Sequence, residues 1–134
     1  MSKYRIPSEK SKYYMPKEDY LTAIHYSLRY KRWLKEVNEI ADTSAAIRYD
    51  KDKVQTSPDD PTFNAAVKIA KINEKIKLID DVITMVTSDN GHYLKLGVCY
   101  GLTFTQLKNM GMPYEKDAYY LMRRHYYYEL AKRI

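Results

Sequence analysis

Apolar positions along this chain recur at steps of three and four over several stretches, the spacing of helices that each turn one side to a core. The first stretch runs through Leu21, Ile24 and Leu28 to Trp33, Leu34, Val37 and Ile40. Pro16 suits the first turn of a helix, and Glu18 and Asp19 suit the positive end of its dipole, so the spacing predicts one helix over residues 16–41. The second stretch is the most regular. Ile69, Ile72, Ile76, Ile79, Ile83 and Val86 alternate steps of three and four without a break, behind Asp60 as N-cap and Pro61 as first helical residue. Between the two the period collapses over residues 42–61, which are polar and proline-marked and read as a long connection. A seam this regular needs a partner along its length. That partner is either the helix 16–41, folded back as a hairpin, or a second copy of the isoleucine helix. Isoleucine at both core positions leans toward assemblies larger than a dimer, so a homo-oligomer is one of the two expectations.

The stretch from Ser88 to Gly91 is turn chemistry that ends the isoleucine helix. A short apolar segment follows, with Tyr93, Leu94, Leu96, Val98, Cys99 and Tyr100, and reads as helical despite Gly97. Beyond Gly101 a helix is expected over residues 103–110. Thr103 caps it with Gln106 as capping-box partner, and Phe104, Leu107 and Met110 form its inward stripe. Gly111 supplies the left-handed residue of a tight turn, Met112 packs back on the pair, and Asp117 stands at the N-cap or first turn of the last helix. In that helix Ala118, Leu121, Met122 and His125 or Tyr126 mark the inward side. Lys116, Tyr119, Tyr120, Arg123, Arg124 and Tyr127 are left for the outward side. Residues 1–15 carry Lys3, Tyr4, Arg5, Lys10, Lys12, Tyr13 and Tyr14 without any period, and read as a basic arm, flexible or docked on the surface. The fold class that emerges is all-α: an arm over 1–15, a helical hairpin over 16–88, and a helix-turn-helix over 89–134.

Composition adds exclusions. With 134 residues, 45% of them hydrophobic and 30% charged, one domain with a modest core is expected; 4 glycines and 5 prolines favour long helices over a turn-dense β-protein. A net charge of +6 favours polyanions without naming one. Cys99 is the single cysteine, so no intramolecular disulfide forms, and its apolar neighbours suit a small buried hydrophobe. No apolar run approaches the roughly 20 residues of a membrane span, and the N-terminus lacks the hydrophobic segment of a signal peptide, so a reducing cytoplasm is the expected compartment. His25, His92 and His125 are far apart, no glycine-rich phosphate loop occurs, and Asp59-Asp60 and Asp80-Asp81 are adjacent carboxylates that a helix points to different sides. No enzyme activity, metal or cofactor is expected.

The last third of the chain carries the functional expectation. A short helix, a glycine turn and a basic helix is the order of a helix-turn-helix, whose second helix enters the DNA major groove. Lysine and arginine neutralise phosphates and bond guanine edges, while tyrosine reaches phosphates and packs on sugars and bases. The N-terminal half of such a helix meets bases, so Lys116, Tyr119, Tyr120 and Arg123 lead the candidate contacts, with Arg124, Tyr127, Thr103 and Gln106 completing the set. Lys132 and Arg133 sit where they compensate the helix dipole.

The run from Gly101 to Met112, followed by Tyr119-Tyr-Leu-Met-Arg-Arg-His-Tyr-Tyr-Tyr-Glu-Leu-Ala131, resembles region 4 of sigma factors. It resembles more closely the small phage transcription regulators of the ArpU and RinA type. The middle of the chain, with Asp52-Lys-Val-Gln-Thr-Ser57 before the isoleucine helix, is similar to phage and prophage proteins of sigma-like type, so the likeness spans about residues 33–134. Two departures stand out. Leu107 occupies a place that is usually small, and the turn after Gly111 is one residue longer than usual, which leaves Asp117 near a position that is usually apolar. The resemblance implies sequence-specific promoter binding and transcription activation, with duplex DNA and RNA polymerase as partners. Two other readings stay open. A phage small-terminase-like packaging protein also joins a helix-turn-helix to an oligomerising hairpin. A phage-encoded inhibitor of a host protein would use the 15 tyrosines as an interface.

Overall fold

The computed structural model describes residues 7–50 and 61–134, and among them every regular element is a helix and none is a strand. The order is α1 (Lys17–Leu28), α2 (Tyr30–Asp50), α3 (Pro61–Val86), α4 (Gly91–Tyr100), α5 (Phe104–Asn109) and α6 (Lys116–Ala131). The all-α expectation holds. The first six residues of the expected arm, and residues 51–60 of the expected connection with Asp60, lie outside the described residues.

Two compact units make up the chain: residues 1–30 with 79–134, and residues 31–78. In the first unit α1 packs against α6 and α4, and α4 against α5. The expected helix over 16–41 is therefore two helices. Pro16 stands at the N-cap of α1 as expected from its fixed backbone, with Glu18 and Asp19 in the first turn. The break comes at Arg29, whose backbone N–H reaches back to Tyr26 O at 3.2 Å and tightens the last turn. Just before it the Ser27 hydroxyl donates to Ala23 O, a bond that bends helices, and also meets the Tyr126 hydroxyl at 2.8 Å. These bonds turn Tyr20, Ala23, Ile24 and Ser27 inward, whereas Leu21 and Leu28 of the expected stripe are only half-buried. Tyr30 follows them inward, and its hydroxyl donates to the Asp80 carboxylate at 3.0 Å.

The C-terminal end of the isoleucine seam is satisfied within the single chain. Ile79 and Ile83 are buried in the first unit together with Val82, while Val86 is half-buried. The turn after α3 forms where the Ser88–Gly91 chemistry places it, and the left-handed residue is Asn90 at φ 62° rather than the glycine. Gly91 is needed for closeness instead, since a Cβ there would stand 2.8 Å from the Thr87 hydroxyl. Helix α4 runs through Gly97, where only glycine fits because the Tyr119 hydroxyl occupies the space a side chain would take. Gly101, at φ 74°, then ends α4 in the left-handed conformation that glycine adopts without strain.

In the second unit, α2 continues to Asp50, so the first part of the expected connection is helical. Trp33 is buried, and Lys75 of α3 reaches over its ring at 5.5 Å. The seam is covered unevenly here: Ile76 is buried, Ile69 and Ile72 only half so. Arg32 pairs with Glu36 and Lys35 with Glu39 along the exposed side of α2, contacts that add little to stability at such exposure.

Candidate nucleic-acid interface

Helix α5, the turn after it and α6 form from local rules. Thr103 accepts from the Gln106 backbone N–H at 3.2 Å while the Gln106 side chain accepts from the Thr103 N–H at 2.8 Å, the reciprocal capping box. Gly111 takes φ 99°, and Met112 donates its N–H to Leu107 O and buries its side chain. Leu107 is fully buried, but Met110 is 53% exposed, so the expected inward stripe of α5 is completed by Met112 and by Phe104, which lies against Tyr119 at 5.8 Å. Lys116 opens α6 behind Glu115 as N-cap, with Asp117 in the first turn.

The register of α6 differs from the expected one. Tyr119, Tyr126, Tyr127 and Leu130 are its buried residues, and Ala118 and Leu121, expected inside, are exposed, Leu121 by 52%. Tyrosine wins the inward side because its ring buries more apolar area than alanine or leucine and its hydroxyl finds partners inside. Tyr126 bonds Ser27, and the Tyr127 ring meets Tyr20 edge-on at 5.3 Å. The Tyr119 hydroxyl has no hydrogen bond of good geometry, and the Arg123 guanidinium is the polar group that acts on it. Burial pushes the Tyr126 phenol well above its ordinary value, and pushes the Tyr127 phenol up against the opposing pull of Arg123. Burial likewise pushes the Cys99 thiol up to about 12, which keeps it an inert apolar group.

The residues expected to meet DNA consequently separate into four groups. Tyr119 and Tyr127 are core residues and are withdrawn from the contact set. Arg123 lies over the Tyr120 and Tyr127 rings at 5.6 and 5.7 Å with four phenols around it, so its guanidinium is engaged in packing. Thr103 and Gln106 are exposed but committed to each other. That leaves Lys116, which is exposed, and Tyr120 and Arg124, which are partly exposed. Sequence reasoning missed Asp117, Leu121, His125 and Tyr128, which follow one another at steps of three and four along the side of α6 opposite its buried residues, with Ala118 beside them. The signal that finds them is that opposition, and it becomes readable once the tyrosines are known to be inside.

A groove of about 410 Å³ lies at the α3–α4 corner, lined by Asp80, Thr84, Thr87, Asn90, His92 and Lys95 among others. Its one lysine is bonded to Asp80 at 2.7 Å, which leaves the groove little attraction for an anion. Among the described residues no group of three or more His, Cys, Asp or Glu is placed to hold a metal ion, and no helix is long and apolar enough to cross a membrane. No protein-family model, curated protein or solved structure matches the chain.

Proposed function

We propose that the chain is a phage-type DNA-binding transcription regulator, similar to sigma-factor region 4, that reads duplex promoter DNA with α6 inside a bacterial host cell. The observation that carries this reading is the pairing of a capped α5 and a left-handed turn at Gly111 with an α6 whose N-terminal half presents Lys116, Asp117, Ala118 and Leu121 outward. In this reading Lys116 bonds phosphate, Ala118 and Leu121 meet thymine methyl groups, Asp117 accepts from a cytosine amino group, and Arg124 bonds a guanine edge or phosphate. RNA polymerase is a second partner, and the chain performs no covalent chemistry.

Duplex binding measured over a range of salt tests the proposal, with sites first selected from a random duplex pool. Affinity is expected to fall by orders of magnitude over a few-fold rise in salt and to retain a site-specific part. Arg124→Ala is expected to cost about 1–3 kcal/mol at the selected site while helicity is kept. Absence of duplex binding at low salt would sink the reading. The exposed Leu121 and Met110 then support the second one, a phage-encoded protein that docks on a host protein through this surface.

A further inference from the structure

The outward side of α6 does not stop at Leu121. His125, Tyr128 and Lys132 continue it at steps of three and four, and Lys132, the C-cap, keeps helical backbone angles. Residues 7–16 cross this continuation. The Tyr13 ring stacks on His125 with centroids 4.5 Å apart and planes 13° from parallel, and tilts against Tyr128 at 5.7 Å. Met15 is buried behind it, which fixes the segment in place. Each of the two outer tyrosines carries a lysine: Lys12 Nζ stands 5.5 Å from the Tyr13 centroid and Lys132 Nζ 4.7 Å from that of Tyr128. Beneath them the half-buried Glu129 holds Lys132 at 3.1 Å and Arg133 at 2.9 Å, with His125 Nε2 at 3.5 Å. One carboxylate therefore orients two cationic heads, Lys132 and Arg133, and with Lys12 the cluster keeps a surplus of positive charge. Such a surplus, preset and lined with aromatic rings, suits a phosphodiester backbone, whose sugars pack on rings while its phosphates take the charge.

We infer that Lys12, on the docked N-terminal segment, and Lys132, at the end of α6, grip the phosphates of a duplex whose bases meet the first two turns of the same helix. The inference rests on the DNA reading above. It divides the outward side of α6 into a half that reads sequence and a half, completed by the segment around Tyr13, that supplies affinity alone.

The test uses the full chain and a labelled mixed-sequence duplex, with the dissociation constant followed against sodium chloride. In the double variant Lys12→Ala, Lys132→Ala the slope of log affinity against log salt is expected to shrink by about 2, with a loss of roughly tenfold or more that is equal on every duplex. Tyr13→Ala, which frees the segment but leaves both charges, is expected to shrink the slope by about 1. Both lysines are exposed, so circular dichroism and the unfolding midpoint should stay as in the parent chain. A parent chain that binds duplex, with an unchanged slope in the double variant, overturns the inference and leaves the DNA reading standing. A parent chain that binds no duplex at low salt overturns both.

Discussion

On the inward side of α6, Tyr119, Tyr126, Tyr127 and Leu130 are removed from water and meet Tyr20, Ser27 and Phe104 from other helices. On the outward side, Ala118 and Leu121 stand in water beside Asp117 and Arg124. Apolarity alone would exchange the two sides. Tyrosine inverts that order because it combines a large buried ring with a hydroxyl that must be accommodated, and this unit accommodates it by several devices. Ser27 bonds one hydroxyl, Gly97 makes room for another, and Arg123 spans two rings. The outward leucine has no such device around it.

The largest effect that exposes this contrast is alkaline unfolding, because it acts on all the inward phenols together. Burial raises the phenols of Tyr20, Tyr119, Tyr126 and Tyr127 above the ordinary value of 10.0. The folded chain thus holds these protons more tightly than the unfolded chain. Stability from this source is complete below pH 10.0 and is lost as pH rises above it, because the unfolded state ionises first. Absorbance at the phenolate band should show a late, cooperative group of tyrosines that titrates together with loss of helicity. Independent titration of every tyrosine near its ordinary value would contradict the inward placement.

Among single substitutions, Leu130→Ala is expected to cost most. The side chain is fully buried in the first unit, so truncation removes transfer energy and leaves a cavity, about 2–5 kcal/mol in denaturant unfolding. A smaller pair of changes tests the fit of one tyrosine. Gly97→Ala places a methyl against the Tyr119 hydroxyl and should cost about 1–3 kcal/mol, although alanine is ordinarily the better helix residue. Tyr119→Phe removes that hydroxyl together with its weak interaction with Arg123, and should be within about 1 kcal/mol of the parent. Combined, the two should cost clearly less than Gly97→Ala alone. Strict additivity would mean the two positions do not touch.

What the sequence disclosed about this molecule is what local chemistry dictates. The helices from α3 onward, the turn at residues 88–91, the Thr103–Gln106 capping box and the left-handed Gly111 all follow from backbone rules acting within a few residues, whereas the extension of α2 to Asp50 does not. The isoleucine period marks α3 because aliphatic side chains have one preference, and Ile76, Ile79 and Ile83 honour it. The break at Arg29 was not legible, since the Ser27 hydroxyl finds its second partner 99 residues away. Nor was the register of α6: tyrosine and arginine fit either side of a helix, and only the opening at Gly97 and the other tyrosines decide between them. Two candidate contacts, Tyr119 and Tyr127, were misplaced by that ambiguity, while Lys116 and Arg124 keep an exposed or partly exposed position in either register.

The smallest effect is the most telling, because it repeats the leucine truncation on the opposite side of the same helix. Leu121 is 52% exposed, so Leu121→Ala removes methyl groups that already lie largely in water and leaves no cavity to line. Alanine also has the higher helix propensity, by a few tenths of a kcal/mol, which offsets what packing is lost. The unfolding free energy should stay within about 0.5 kcal/mol of the parent, against several for Leu130→Ala. A loss as large as that at Leu130 would mean that the outward side is covered by something in the folded state, a second copy of the chain being the first to test by light scattering over a range of concentration. With stability unchanged, duplex binding becomes a clean readout. If Leu121 meets a thymine methyl, its truncation should weaken the selected site and leave mixed-sequence duplex untouched, the reverse of what is expected for Lys12 and Lys132. Equal weakening on both duplexes would move Leu121 out of the base-reading set and leave α6 gripping DNA by its charges alone.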